Sequence, residues 1–335
     1  MKIFTSLVLF TCLCFTGFAQ QRPQHTQYVQ NNFLLNPAAA GTESYIDIRN
    51  SYRNQWVGME GAPTTYYTSI NASLDKNDRN VVPPSKSKNS YVASEQTVNK
   101  NNRFHVRPHH GVGAVLQLDK SGLLRTFSLN LNYAYHLPLT KEINLSGGVS
   151  AGLMQYRLNK QDINMQVKED PFVAGEIGNM NKFDLGVGLW LYSSDFYVGL
   201  SSMQVLRSET KSSNNGTVAP LQNHYYATGG IRLRVSNNIS FTPSLMVKVA
   251  ENGIYMVDVN AKAAYGRRFW AGASYRQKDA VAGMAGVFIN HMLDVSYSYD
   301  LTTSDLSRVS ANSHEIVVGI KLNNPQKTIC PQWVW

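Results

Sequence analysis

Three features of the sequence together predict an all-β fold: a single-chain transmembrane antiparallel β-barrel of about 14 strands, with short periplasmic turns and longer external loops. The first is alternation. In Phe127–Leu137, FSLNLNYAYHL, one face carries Phe127, Leu129, Leu131, Tyr133, Tyr135 and Leu137; the other carries Ser128, Asn130, Asn132, Ala134 and His136. Successive strand side chains point to opposite sides, so this strand has one apolar and one wet face. Tyrosines toward one end of the apolar face suit a rim where an apolar medium meets water. The second feature is export without an apolar helix, and the third is a sorting of connection lengths by parity.

Export is read from the start of the chain. Lys2, the apolar run Leu7–Phe18 and a cut after Ala19 make residues 1–19 a signal peptide. Cys12 and Cys14 lie inside it. A lipoprotein would need one of them as its first mature residue, which leaves the apolar run too short. Cys330 then stands alone, so the exported chain forms no internal disulfide. No mature stretch reaches the about 18 apolar residues of a membrane helix. A closed barrel still spans a membrane. Export also removes the net charge of +9 from nucleic acid; it reads as a basic, envelope-facing surface.

Residues 20–44 are polar around the knot Phe33, Leu34, Leu35, with a turn at Asn36-Pro37, and read as a periplasmic or plug segment. The barrel is assigned to residues 45–322. Its strands are Tyr45–Arg53, Thr64–Leu74, Gly111–Asp119, Arg125–Leu137, Glu142–Tyr156, Lys182–Tyr192, Asp195–Met203, Asn223–Val235, Ile239–Val249, Ile254–Tyr265, Phe269–Arg276, Val281–Ile289, His291–Asp300 and Ser313–Leu322. Most are near the about 9–11 residues that cross a bilayer at a tilt. Connections after even strands are short (Ser193-Ser194, Asn290), and several after odd strands are longer (Asn54–Pro63, Arg157–Asn181, Gln204–Gln222). A soluble sandwich has no reason to sort loops this way; an outer-membrane barrel does. One connection breaks the rule. Residues 75–110 are long, basic and interrupted by Pro83-Pro84. Such a composition reads as flexible, either a plain insertion or an arm for an anionic periplasmic partner. A tail, residues 323–335, runs past the last strand.

The inward face carries both signs: Asp47, Arg49, Asp119, Asp184, Arg232, Arg234, Lys248, Asp258, Lys262, Asp294, Asp300, Glu315 and Lys321. Buried charges pair or stay hydrated, and mixed signs point to a salt-bridged, largely filled lumen rather than charges lining water. Residues 20–44 or an external loop would supply the filling. Arg232, Arg234, Asp258, Lys262, Asp294, Asp300 and Glu315 are the predicted lumen charge network.

Enzymatic chemistry is not expected, nor a cofactor or a metal. Gly148-Val149-Ser150-Ala151-Gly152 matches G-x-S-x-G, but a nucleophile elbow needs a strand-to-helix turn, and this serine falls mid-strand. His105, His109 and His110 read as solvated loop histidines, because Pro108 breaks any helical spacing.

Ser51–Thr65, SYRNQWVGMEGAPTT, closes the first strand and turns the first external loop at Gly58, Gly61 and Pro63. Physics alone makes Trp56 an interface anchor there. The string also resembles the signature of the PorP/SprF family of type IX secretion system outer-membrane proteins. Gln24–Tyr28 with Asn36-Pro37-Ala38, Leu129–Tyr135, Phe196–Ser201, Phe269–Arg276, Tyr297–Asp300 and Ser313–Ile316 are similar to that family in the same order. The resemblance implies a non-enzymatic barrel in the outer-membrane lipid, with no nucleic-acid partner. It would receive, help secrete or anchor the C-terminal domain of an exported protein, of the surface-adhesin, gliding-motility type. It implies that Arg53, Asn54, Gln55, Trp56, Glu60 and Pro63 bind that cargo or structure the lumen, and that Gln27, Tyr28, Asn36 and Pro37 are an N-terminal motif. Arg53 and Glu60 pairing with each other is the structural alternative to partner contact. A periplasmic or lipoprotein partner would use residues 75–110 or 323–335. The competing functional classes are an outer-membrane diffusion channel for small solutes and a barrel-embedded hydrolase.

Overall fold

The computed structural model describes residues 22–74, 108–140, 142–158, 179–206, 222–236, 238–266, 268–308, 310–324 and 329. The expected signal peptide, residues 75–107 of the basic insertion, the connections 159–178 and 207–221, and most of the tail lie outside the described residues.

The strands are β1 (Ile46–Asn54), β2 (Thr64–Leu74), β3 (His109–Ser121), β4 (Leu124–Pro138), β5 (Asn144–Leu158), β6 (Asn179–Tyr192), β7 (Phe196–Met203), β8 (His224–Ile231), β9 (Leu233–Ser236), β10 (Ile239–Ala250), β11 (Tyr255–Tyr265), β12 (Phe269–Arg276), β13 (Ala280–Phe288), β14 (Leu293–Thr302) and β15 (Ser313–Leu322). All pairings are antiparallel between chain neighbours, and β15 returns to β1 from Ile46↔Leu322 to Asn54↔His314. The ring also closes through β10 and β11, so no edge is left to pair with another chain. β8 and β9 form one wall strand interrupted at Arg232, so the fifteen segments make a closed barrel of 14 strands. The register shifts between Ile239 and Ser240, which oppose Ser236 and Arg234, so Val235 is the extra residue of a bulge at the end of that strand.

Two further boundaries differ from the sequence expectation. β3 starts at His109, so His109 and His110 belong to the wall and not to the insertion. Gly111 and Gly113, which carry no side chain, hid the alternation there. β3 and β4 also join through a tight turn at Gly122-Leu123, so not every connection at the outer end is long.

Outward positions are large and apolar, and they stay exposed: Leu131, Val149, Leu153, Phe183, Leu189, Leu200 and Val259 among them. A continuous belt of this kind suits lipid and not water. The packed core lies inside the barrel. Residues 22–44 occupy the lumen as short 3₁₀ turns, Thr26–Gln30, Asn32–Leu34 and Pro37–Ala39. Phe33, Ala38, Ala39 and Ala40 pack with Ala134, Trp190, Tyr192 and Tyr197 of the wall. Tyr28 and Val29 pack with Met203, Tyr226, Met246, Trp270, Met284 and Phe288.

The wall is shaped for this segment. A Cβ on Gly148 would lie 2.4 Å from the Ala38 nitrogen, and one on Gly188 would lie 2.0 Å from Asn36 Oδ1. The G-x-S-x-G match is thus a close approach of backbone to backbone, and Ser150 sits mid-strand in β5. Two histidines hold the lower end of the segment. The His109 and His136 rings stack with centroids 4.3 Å apart. Each Nε2 faces a carbonyl oxygen, Gly41 at 3.1 Å and Ala40 at 2.7 Å, so each Nε2 carries the proton and donates. These are buried structural groups, not solvated loop histidines. At the same mouth Ile329 of the tail packs against the second cluster, and its carbonyl accepts from Lys321 Nζ.

Candidate functional site

The family-like string folds as a laced loop over the outer mouth. Gln55 N–H donates to the Pro63 carbonyl at 2.9 Å, closing the loop on itself. Trp56 N–H donates to Ser313 Oγ at 3.1 Å, Val57 N–H to the Asn312 carbonyl at 2.9 Å, and Ala311 N–H returns to Val57 O at 2.7 Å. On the other side Gly122 N–H donates to Gly61 O at 2.8 Å. Loop 55–63 therefore joins the β14–β15 connection to the β3–β4 turn. Trp56 has φ +50°, a left-handed backbone that costs a bulky residue roughly 1–3 kcal/mol, and these flanking bonds hold it there. Gln55 and Pro63 are buried, Asn54 and Trp56 half-buried, and Glu60 exposed.

Arg53 and Glu60 do not pair. Strand parity turns Arg53 into the lumen, while Glu60 stays in the loop facing solvent. Arg53 is 1% exposed and binds Asp300 at 2.8 Å and Glu315 at 3.0 Å. Its Nη1 also donates to Thr26 Oγ1 at 2.7 Å. Glu315 accepts from the Thr26 N–H at 2.8 Å, and Thr26 Oγ1 donates to Asp300. Arg276 completes the cluster, reaching Asp258 at 3.3 Å, Asp279 at 3.2 Å and Thr26 Oγ1 at 3.2 Å. Five wall strands, β1, β11, β12, β14 and β15, and one loop thus converge on the lumen segment's first turn. Buried charges of this kind require partners and hydrogen bonds on every side, and here the segment supplies part of both.

The rest of the N-terminal motif is held the same way. Gln27 Nε2 donates to the Glu315 carbonyl at 3.0 Å, and Gln27 Oε1 accepts from Ser296 Oγ. Tyr28 Oη accepts from Asn260 Nδ2. Asn36 Oδ1 accepts from Ala38 N–H at 2.9 Å, while its Nδ2 donates to the Leu189 carbonyl at 2.9 Å. Pro37 opens the 3₁₀ turn that follows, where its missing N–H costs nothing.

A second ionic group lies lower in the lumen. Arg49 joins Asp47 at 2.9 Å and Asp294 at 3.3 Å, with Lys321 at 3.9 Å from Asp294. Lys262 lies over the Trp270 ring at 5.5 Å. Arg234 does not belong to this network. Arg234 is exposed and pairs with exposed Asp195 at 3.1 Å, and the Arg232 N–H donates to the Asp195 carbonyl at 2.7 Å. β9 ends two residues after Arg234, so that side chain lies at the end of the wall and not in the packed lumen.

Arg276, Thr26 and His25 are central here and were absent from the predicted site. Arg276 had a signal: it ends the inward row Trp270, Gly272, Ser274 of β12. Thr26 and His25 had only their place in the family-like stretch Gln24–Tyr28, because so short a 3₁₀ segment shows no alternation that would assign them to the cluster. Burial, reinforced by Arg53 and then by Arg22, Lys248 and Arg276, holds His25 down at about 3, so it is neutral. Among the described residues no group of three or more His, Cys, Asp or Glu is arranged to hold a metal ion. The arrangement holds the backbone N–H groups of Thr26 and Gln27 through Glu315, and the Thr26 hydroxyl through Asp300, Arg53 and Arg276.

A family model described as type IX secretion system membrane protein PorP/SprF matches residues 17–320. No curated protein matches the chain. Among solved structures, the Ralstonia pickettii toluene transporter TbuX is similar at 11% identity and TM-score 0.50, covering 88% of this chain and 93% of that one. The CymD monoaromatic hydrocarbon channel is similar at 11% identity and TM-score 0.49, over 87% of this chain and 91% of that one. At such identity the likeness is one of barrel fold alone.

Proposed function

The chain belongs to the PorP/SprF family of type IX secretion system membrane proteins, and on that premise we propose that it is a non-enzymatic outer-membrane barrel that receives and anchors one exported protein at the cell surface. The cargo is a surface adhesin of the gliding-motility type, engaged through its C-terminal domain. The observation that carries the reading is the laced loop around Trp56: the family-like string forms a braced platform at the outer mouth, bonded to two neighbouring connections. In this reading Trp56, Asn54 and Glu60 face the cargo, while Arg53, Gln55 and Pro63 hold the platform from below. Residues 75–110 or the tail take a periplasmic or lipoprotein partner.

A solute channel is the alternative, and the barrel fold it shares with a toluene transporter favours it. Against it stands the segment 22–44, which packs inside the lumen against the wall in two apolar clusters. Affinity purification from native membranes tests the proposal. Recovery of a secreted protein with its C-terminal domain is expected from the native chain, with loss of that protein from a loop 55–63 replacement. Recovery of neither a secreted protein nor an envelope lipoprotein overturns it. Planar-bilayer recording tests the alternative, which predicts a large steady conductance.

A further inference from the structure

At the outer end of the wall, the outward positions of β8, β11, β12 and β14 carry exposed Tyr225, Tyr255, Tyr275 and Leu301. On β3, β4 and β5 the same height carries Lys120, Arg125 and Arg157, all exposed. The register sets them in one row, Lys120↔Arg125 and Arg125↔Arg157. Directly opposed residues on neighbouring strands have Cβ atoms roughly 4.5–5.5 Å apart, and like charges so placed destabilise the pairing. Among the described residues, none pairs with any of the three. The adjacent carboxylate, Asp119, turns the other way and accepts from Thr65 Oγ1 at 2.6 Å.

Height in the membrane gives the row its meaning. Below Arg125 the outward face of β4 runs Phe127, Leu129, Leu131, Tyr133, Tyr135. From Tyr135 to Arg125 the chain climbs by ten residues. At about 3.3 Å each and a tilt near 40° that is about 25 Å, the height of a barrel's apolar band. The three cations therefore stand where acyl chains end and headgroups begin. The exposed Gln155–Asn181 hydrogen bond, 3.0 Å, sits one outward row below them and marks the same boundary.

We propose that Lys120, Arg125 and Arg157 form a binding site for the phosphate-bearing headgroup of an outer-leaflet lipid. Two guanidinium forks and one ammonium match a phosphate in charge and geometry. The acyl chains lie along Leu129, Leu131 and Leu153. The bound anion relieves the repulsion within the row. The site requires only the outer-membrane location and is independent of the cargo reading.

Native mass spectrometry of the purified full chain in detergent tests it, with dioleoyl phosphatidic acid or dioleoyl phosphatidylcholine added. Each cation beside an anionic headgroup contributes about 1 kcal/mol, so K120Q/R125Q/R157Q should retain phosphatidic acid on the order of a hundred-fold more weakly. Phosphatidylcholine should be retained equally by both proteins, and K278Q, which alters an exposed cation elsewhere on the rim, should behave as the native chain. R125Q alone, the centre of the row, should weaken retention about fivefold and serves should the triple variant not fold. Equal retention of phosphatidic acid by native and variant chains overturns the proposal, as does native retention of phosphatidylcholine as strong as that of phosphatidic acid. Full displacement of the lipid by excess inorganic phosphate overturns the lipid as the ligand's source.

Discussion

Replacing Arg53 with Met removes one charge from the cluster that ties the lumen segment to the wall, and the structure says where the cost falls. Asp300 keeps Arg276 at 3.8 Å. Glu315 keeps only neutral donors, the Thr26 N–H at 2.8 Å, the Gln27 N–H at 3.4 Å and Ser51 Oγ at 3.3 Å. A buried carboxylate is thus left without a cation, and breaking a buried pair from one side costs about 3–5 kcal/mol. The penalty resides mainly in Glu315, so adding E315Q to R53M should recover a coupling of about 1–3 kcal/mol. The assay is urea unfolding of the barrel reconstituted in lipid, followed by tryptophan fluorescence. Unfolding rates replace midpoints where refolding fails. An R53M chain within about 0.5 kcal/mol of the native one would refute the reasoning. So would an E315Q change that destabilises R53M further.

Three other outcomes follow from the same geometry. His25 is held at about 3 in the folded chain against 6.5 when unfolded, so proton uptake favours the unfolded state; stability is present above pH 6.5 and is lost as the pH falls from there toward 3. H25Q should flatten that slope in pH-dependent unfolding, and an unchanged slope would mean that other groups set it. G188V would drive side-chain carbon into the Asn36 amide, whose Oδ1 already lies 2.0 Å from the ideal Cβ, so the Asn36–Pro37 turn must shift; overpacking of this kind costs about 1–3 kcal/mol, read as a lowered unfolding midpoint. Deleting residues 22–44 should raise single-channel conductance in planar bilayers well above that of the native barrel, and equal conductance would show that something other than this segment fills the lumen.

Much of the architecture was legible because strand alternation is local. Lipid outside and packed side chains inside impose a period of two on every wall strand, and the parity of loop lengths survives in the connections. It failed at the end of β9, where Arg234 lies past the packed lumen and pairs with exposed Asp195, and at His109, where two following glycines leave no side chain to read. The loop around Trp56 was legible only as a string. Its bonds to Ser313, Asn312 and Gly122 join residues far apart in the chain.

By itself, then, the sequence determined a closed, fourteen-strand wall with an apolar outside, and the family to which the chain belongs. Only the tertiary structure decided what the inward charges do. Arg53 meets Asp300 and Glu315 across about 250 residues of chain, 247 to Asp300 and 262 to Glu315. A charge on an inward face says only that it needs a partner; which partner it takes depends on barrel closure, strand register and the path of the segment in the lumen. Those are non-local, and the segment itself has no period to announce its path. The row Lys120, Arg125, Arg157 has the same origin: three cations scattered along the chain become one site only when β3, β4 and β5 fall into register.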